Sequence, residues 1–201
     1  MSPTREAFEN VGHTIIELVA TITDTEFDMP GLGEWNVREL LAHTLRAYSL
    51  VGTYLDAGSV EGECANAGEY YRNALQGEAV HAQIAQRARD AATDLRDPVA
   101  QATTAITEGL ARTATANDTD QVASFLGMMP FSEYLRTRLF EATLHGLDLI
   151  NALGRSVTLP PDAIRLTLAT LLEAGDDAKL TRILKALSGR GSLPVGFNML
   201  Q

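Results

Sequence analysis

The sequence contains a single cysteine, Cys64, among its 201 residues. One thiol cannot form an internal disulfide or a cysteine-rich zinc site, which excludes both as supports of the fold. No apolar run approaches the roughly 20 residues that a membrane-spanning helix requires. Residues 1–10 also lack the apolar centre of a secretory leader. These absences predict a protein of the reducing cytoplasm that has no membrane partner.

Basic side chains are fewer than acidic ones in this sequence. Lysine and arginine number 16 against 26 aspartates and glutamates, which gives a formal net charge of −10. Such a chain has no general attraction to the phosphates of nucleic acid or of an anionic membrane surface, so nucleic acid is excluded as a partner. Because 45% of the residues are hydrophobic and only 21% are charged, the composition is that of a globular domain.

Alternating β-type patterns are missing as well, and the apolar residues follow a helical period instead. They fall on one face between residues 4 and 22, whereas the glycines and proline of residues 24–35 are typical of a loop. Asn36 followed by Glu39 predicts an N-cap with a reciprocating carboxylate at the start of the second helix. A third helix is predicted over residues 70–95.

Helix ends are also marked further along the chain. Asp97 before Pro98 is typical of a cap followed by proline at the first helical position, and it predicts a short fourth segment. Residues 122–130 are expected to be irregular or briefly extended. A long helix is predicted over residues 132–153, with Gly154 just beyond its C-terminal end.

Two more helices are predicted near the C-terminus, one beginning at Pro160 and Pro161 and one over residues 176–187. Together the elements predict an all-α fold, an antiparallel four-helix bundle over residues 1–154. Residues 155–201 are then a short C-terminal helical extension.

One stripe of the long helix combines polar side chains, and apolar residues flank it on both sides. Its members are Tyr134, Arg138, Glu141, His145 and Asp148. Burying such charges costs several kcal/mol per ion unless a metal or mutual pairing offsets that cost. The pattern therefore leaves two interpretations open. One is a metal site in a crevice, and the other is a solvated face or an Arg–Glu–His network.

The spacing of Glu141 and His145 places both on one helical face, which is a recurrent metal-ligand arrangement in bundles. The same spacing precedes His13 and His43, so it decides nothing by itself. His43 is predicted either to pack in the core or to supply a third ligand from a second helix. His81 lies among small and aliphatic residues, so its side chain is expected to pack in the core. His13 has charged neighbours, so its side chain is expected to be exposed to solvent.

Two segments resemble a known family. Residues 33–43, GEWNVRELLAH, resemble the GW-x-V-x-(D/E)-L-x-x-H signature of the DinB-like superfamily of metal-binding bundles. Residues 133–149, EYLRTRLFEATLHGLDL, resemble the Y-L-x-T-R-x-x-E-x-x-x-H-G-x-D-L helix of the mycothiol-dependent maleylpyruvate isomerase family. Residues 186–194 resemble a frequent ending of that family, so the resemblance covers most of the chain.

The resemblance implies that His43, Glu141 and His145 are ligands of a divalent metal. Two imidazoles and one carboxylate leave open coordination positions, as in catalytic zinc sites. Zinc is the metal that the resemblance favours, while nickel or iron also suits this ligand set. Glu39 could add a second carboxylate, but its capping role argues against a two-metal site.

Three further residues receive roles. Asp148 is expected to orient a ligand, and Arg138 either pairs with Glu141 or meets a substrate carboxylate. Trp35 is expected to pack at the helix entrance and to contact the cofactor. Cys64, with glutamates nearby, is predicted to have a raised pKa and no catalytic role.

The resemblance favours an enzyme that uses a metal to activate a low-molecular-weight thiol, mycothiol, for isomerisation of a small electrophile or for S-transfer to it. The predicted protein is a monomer or a homodimer. Two alternatives stay open: a metal-dependent hydrolase that uses water, and a non-catalytic bundle that binds metal or a ligand. The family's characterised isomerase carries a sizeable second domain after the bundle. Because 201 − 154 leaves 47 residues after Gly154, the expected substrate is a small electrophile in general and not maleylpyruvate in particular.

Overall fold

The computed structural model describes residues 2–74 and 78–200, and the side chains of residues 78–81 lie outside that description. Within it the chain is helical apart from one small hairpin and its loops. The helices are α1 (Pro3–Val19), α2 (Val37–Leu55), α3 (Ala67–Ala74), α4 (Glu78–Thr93), α5 (Pro98–Thr115), α6 (Phe131–Ala152), α7 (Pro161–Ala174) and α8 (Asp177–Leu187). None of these helices has the length and apolar composition that crossing a bilayer requires.

Four of the helices form an antiparallel bundle, as the sequence predicts. α1 and α2 each pack against both α5 and α6. Their apolar faces meet in one core, where the rings of Phe8 and Tyr48 stack with centroids 4.3 Å apart. The Tyr48 hydroxyl donates to the backbone carbonyl of Phe8, 3.2 Å away, which satisfies the polar atom that this ring buries.

Local signals set the starts of two bundle helices. Asn36 accepts a hydrogen bond from the Glu39 backbone N–H, and the Glu39 carboxylate accepts one from the Asn36 N–H. This capping box starts α2 at the predicted place. Asp97 caps α5 through the Ala100 N–H. That helix has 18 residues, so the prediction of a short segment is wrong.

The other elements surround the bundle. α4 packs on α2, and both α3 and α7 pack on α6. Residues 70–95 therefore contribute to two helices where the sequence predicts one, and residues 75–77, including Gly77 of the predicted helix, lie outside the described residues. The C-terminal extension is attached to the bundle, because α7 contacts α1, α3 and α6. The boundary at residue 154 stays a prediction.

The segment predicted as irregular or briefly extended forms an antiparallel hairpin, β1 (Gln121–Ser124) and β2 (Gly127–Pro130). Gly127 turns the chain at a φ of +121°, and a Cβ there would lie 2.6 Å from the Gly62 carbonyl carbon. Only glycine combines this φ with this close approach. The hairpin is thereby held against the preceding loop, beside the N-terminal end of α6.

Candidate metal centre

Two neighbouring helices bring three potential ligands together. α6 carries Glu141 and His145 one turn apart, with 3.3 Å between His145 Nε2 and Glu141 Oε2. α2 contributes His43, whose Nε2 lies 4.0 Å from the same carboxylate oxygen. One donor atom from each residue lies within 4.8 Å of the other two. A bundle that packs α2 on α6 therefore converges the three residues that the sequence singles out.

The electrostatics of the three groups are strongly coupled. Burial by itself raises the pKa of Glu141, but the hydrogen bond and charge of His145 outweigh it and leave that pKa at about 2. Burial lowers the pKa of His145, whereas hydrogen bonds to Asp148 and Glu141 raise it to about 9. Burial and the neighbouring positive charge of His145 lower the pKa of His43 to about 4. The centre thus holds an ionised carboxylate beside one neutral imidazole.

Asp148 positions the His145 ring. Its Oδ2 lies 3.0 Å from His145 Nδ1, one turn further along α6. This contact fixes a proton on Nδ1 and turns Nε2 towards Glu141, so loss of the Nε2 proton would free that nitrogen as a metal ligand. A carboxylate behind a histidine in this way is the usual support of a metal-ligating imidazole.

His43 is oriented by packing instead. Its ring lies between those of Trp35 and His145, with centroid distances of 4.8 and 4.6 Å. Its Nδ1 is buried and has no hydrogen-bond partner among the described residues. Trp35 therefore sits at the entrance of α2, where the sequence analysis places it, and also touches a candidate ligand.

Tyr71 is a site residue that the sequence analysis missed. From α3 its hydroxyl lies 2.7 Å from Glu141 Oε1 and 3.0 Å from the Thr137 carbonyl, so it can donate to the carboxylate. Tyr71 is 2% exposed, and its ring packs on Phe140. The only signal in the sequence is the aromatic pair at positions 70 and 71, which does not show that α3 will fold onto α6.

Arg138 does not form the ion pair that the sequence analysis considers. Among the described residues, no carboxylate oxygen lies within 4.0 Å of the Arg138 guanidinium, which is the limit for an ion pair. Its Nε donates to the Thr137 hydroxyl at 3.1 Å, and its guanidinium lies over the Tyr134 ring. Glu141 instead contacts His145 and Tyr71, and its charge acts on the buried Arg138 from beyond ion-pair distance.

A cavity of about 470 Å³ opens beside the three candidate ligands. Trp35, Arg138 and all three candidate ligands line it, as does Phe125 from the tip of the hairpin. Asn198 and Leu200 close part of its wall from the C-terminal segment. The cavity is large enough for a small organic molecule next to the carboxylate and imidazoles.

Comparison with known proteins places the chain in a family. Residues 8–150 match the sequence profile described as the mycothiol maleylpyruvate isomerase N-terminal domain. The chain belongs to this family. The match contains His43, Glu141 and His145, together with Asp148 and Arg138, while α7 and α8 lie beyond it.

A solved structure shares the fold of this member of the mycothiol maleylpyruvate isomerase N-terminal domain family. It is the crystal structure of the mycothiol-dependent maleylpyruvate isomerase, with a TM-score of 0.50 and 19% sequence identity. The alignment covers 86% of this chain and 68% of that structure. No curated protein matches the sequence. At this identity the likeness concerns the helical bundle and not the reaction.

Proposed function

We propose that this chain is a divalent-metal-dependent enzyme that activates mycothiol, a low-molecular-weight thiol, for isomerisation of a small electrophile or for S-transfer to it. The observation that carries the proposal is the convergence of His43, Glu141 and His145 beside a cavity large enough for a small substrate. Family membership supports the choice of thiol.

The three converging residues suit a divalent cation. Two imidazoles and a carboxylate match the ligand sets of catalytic zinc centres and leave positions open, while nickel or iron accepts the same donors. The low pKa of Glu141 keeps its carboxylate available as a ligand at neutral pH. A cation held there supplies positive charge that favours the thiolate form of a bound thiol.

The chain's own thiol does not replace an external one. Cys64 is 1% exposed, and burial followed by the charge of Glu69 raises its pKa. A protonated, enclosed thiol is a poor nucleophile. This supports a small thiol cosubstrate that enters the cavity from solvent.

The residues around the cavity would divide the remaining work. Asp148 orients the His145 ring, and Tyr71 holds the carboxylate of Glu141. Arg138 presents positive charge to the substrate, and Trp35 forms an apolar wall against which the cosubstrate packs. In an isomerase the thiolate sulfur adds to one carbon of an activated cis double bond. Rotation about the new single bond and loss of the thiolate give the trans alkene. In a transferase reaction the C–S bond is kept, and the carbanion formed on the neighbouring carbon takes a proton from water.

Metal analysis of protein purified without chelators is the first test. We expect about one divalent ion per chain in the unaltered protein and almost none in His145→Ala. His13→Ala is the matched control, because His13 is exposed on α1 and away from the cavity. A metal content that is negligible, or that His145→Ala leaves unchanged, contradicts the proposal.

Turnover then separates the thiol enzyme from its alternatives. A panel of electrophiles and of thiol conjugates is tested with and without added mycothiol. Turnover that requires the thiol supports the proposal. Turnover by water alone instead supports a metal-dependent hydrolase, and tight metal binding without turnover supports a non-catalytic bundle.

A further inference from the structure

The cavity beside the candidate ligands is positively charged, although the whole chain carries a net charge of −10. Three arginines line it, Arg46, Arg87 and Arg138, against one carboxylate, Glu141. That carboxylate is engaged by the imidazoles and by the Tyr71 hydroxyl. Arginine side chains therefore outnumber carboxylates among the described residues that line the cavity.

Arg46 lies on α2, three residues after His43, and so shares its helical face. Its side chain is partly buried and makes no hydrogen bond or ion pair with any residue that the structure describes. Burial lowers the pKa of Arg46, and the charges of Arg87 and Arg138 lower it further. A partly desolvated guanidinium beside other cations is costly unless an anion joins it.

Two other half-buried arginines of this chain form ion pairs. Arg136 contacts Glu133 at 3.0 Å and Glu173 at 2.7 Å. Arg155 contacts Glu26 at 2.9 Å. These two arginines each have a carboxylate partner, whereas Arg46 and Arg138 line the cavity with no carboxylate of the described residues at ion-pair distance. Unpaired arginines that converge on a cavity are typical of anion recognition.

We propose that Arg46 and Arg138 bind an anionic oxygen group, a carboxylate or a phosphate, of the molecule that occupies the cavity. Arg46 comes from α2 and Arg138 from α6, so the two guanidiniums reach the cavity from neighbouring helices, as the candidate ligands do. Arg87, exposed on α4, adds positive charge near Arg46. The identification of this anion as the substrate rests on the proposed function, and it makes that substrate a small anionic electrophile.

Calorimetric titration tests the anion site with simple probes. Succinate, inorganic phosphate and neutral succinamide are titrated into both metal-free and zinc-loaded protein. We expect one of the two anions to bind and succinamide not to bind. Whichever of succinate and phosphate binds more tightly shows whether the site prefers a carboxylate or a phosphate group. Failure of both anions to bind, or equal binding of succinamide and succinate, overturns the proposal.

Substitutions locate the site. Arg46→Gln is expected to weaken anion binding about tenfold or more, since charge-assisted hydrogen bonds are lost. Arg46→Lys keeps the charge but lacks the planar arrangement of donors. Its affinity for the anion should lie between those of the unaltered protein and Arg46→Gln. Arg165→Gln removes the same charge from an exposed position on α7 and should change nothing. Equal affinities in Arg46→Gln and Arg165→Gln overturn the proposal.

Thermal unfolding separates binding from a structural role. Arg46→Gln breaks no hydrogen bond or ion pair with the described residues, so its melting temperature is expected to stay the same or to rise, and a clear fall contradicts the proposal. If the proposed metal chemistry is wrong but the anion site is right, metal-free protein and the His145→Ala variant still bind the anion.

Discussion

The ring of His43 meets the ring of His145 edge-on, with centroids 4.6 Å apart and an interplanar angle of 78°. The two rings come from different helices and are supported differently. Asp148 holds His145 by a hydrogen bond, whereas neighbouring rings hold His43 by packing. This asymmetry makes the two halves of the centre respond differently to substitution.

Asp148→Ala is expected to weaken zinc binding by about 10- to 100-fold, because the His145 ring loses the partner that orients it. Asp148→Asn retains an acceptor and should have a smaller effect. Competition with a chromophoric chelator measures both affinities. Asp162→Asn, which alters an exposed ion pair on α7, is the control. An affinity in Asp148→Ala equal to that of the control would show that the contact does not support a metal ligand.

Tyr71→Phe is expected to lower the free energy of unfolding by about 1 kcal/mol, as a buried hydrogen bond is lost. It should also weaken zinc binding, because the Glu141 carboxylate loses a donor. Tyr48→Phe removes a comparable buried hydrogen bond in the core and should affect stability alone. Urea unfolding and chelator competition on both variants test this difference. Equal zinc affinities in the two variants would remove Tyr71 from the centre.

The approach of α5 to α2 depends on Gly109, where a Cβ would lie 2.6 Å from the Tyr48 carbonyl oxygen. Gly109→Ala is therefore expected to destabilise the protein by about 1–3 kcal/mol. Gly146, in the middle of α6, has ordinary space around it, with its nearest contact at 3.5 Å. Gly146→Ala should be neutral or stabilise by up to about 1 kcal/mol, since alanine favours the helix. Denaturant unfolding decides, and equal effects of the two changes refute the packing argument.

Glu26 gives the fold a dependence on pH. Hydrogen bonds from Thr23 and from Arg155 lower the pKa of its carboxyl below the ordinary value of 4.5. A lowered pKa in the folded state stabilises the protein above 4.5, and this stabilisation is lost as the pH falls through the lowered value. Glu26→Gln should therefore reduce the melting temperature at pH 7, with a difference that shrinks below pH 4.5. Glu17→Gln, at an exposed position of α1, is the charge-matched control. A difference that persists unchanged in acid would contradict the assignment.

Local sequence determined much of the fold. Apolar periodicity and end signals such as Asn36, Asp97 and Gly154 specify where helices start and stop, because they act over a single turn. Gly154 indeed has a φ of +60° just beyond α6. The resemblance of two helical segments to a known family identifies His43, Glu141 and His145 as candidate ligands without any knowledge of their geometry.

Only the tertiary structure decided which of these side chains meet and what surrounds them. The packing of α3 against α6 delivers Tyr71 to Glu141, and the packing of α2 against α6 turns Arg46 and Arg138 towards one cavity. Arg138 and Glu141 lie on one helical face, and this spacing alone predicts an ion pair between them. In the fold that carboxylate faces His145 and Tyr71 instead. Periodicity assigns a residue to a face, but contacts between distant segments depend on how whole helices pack together.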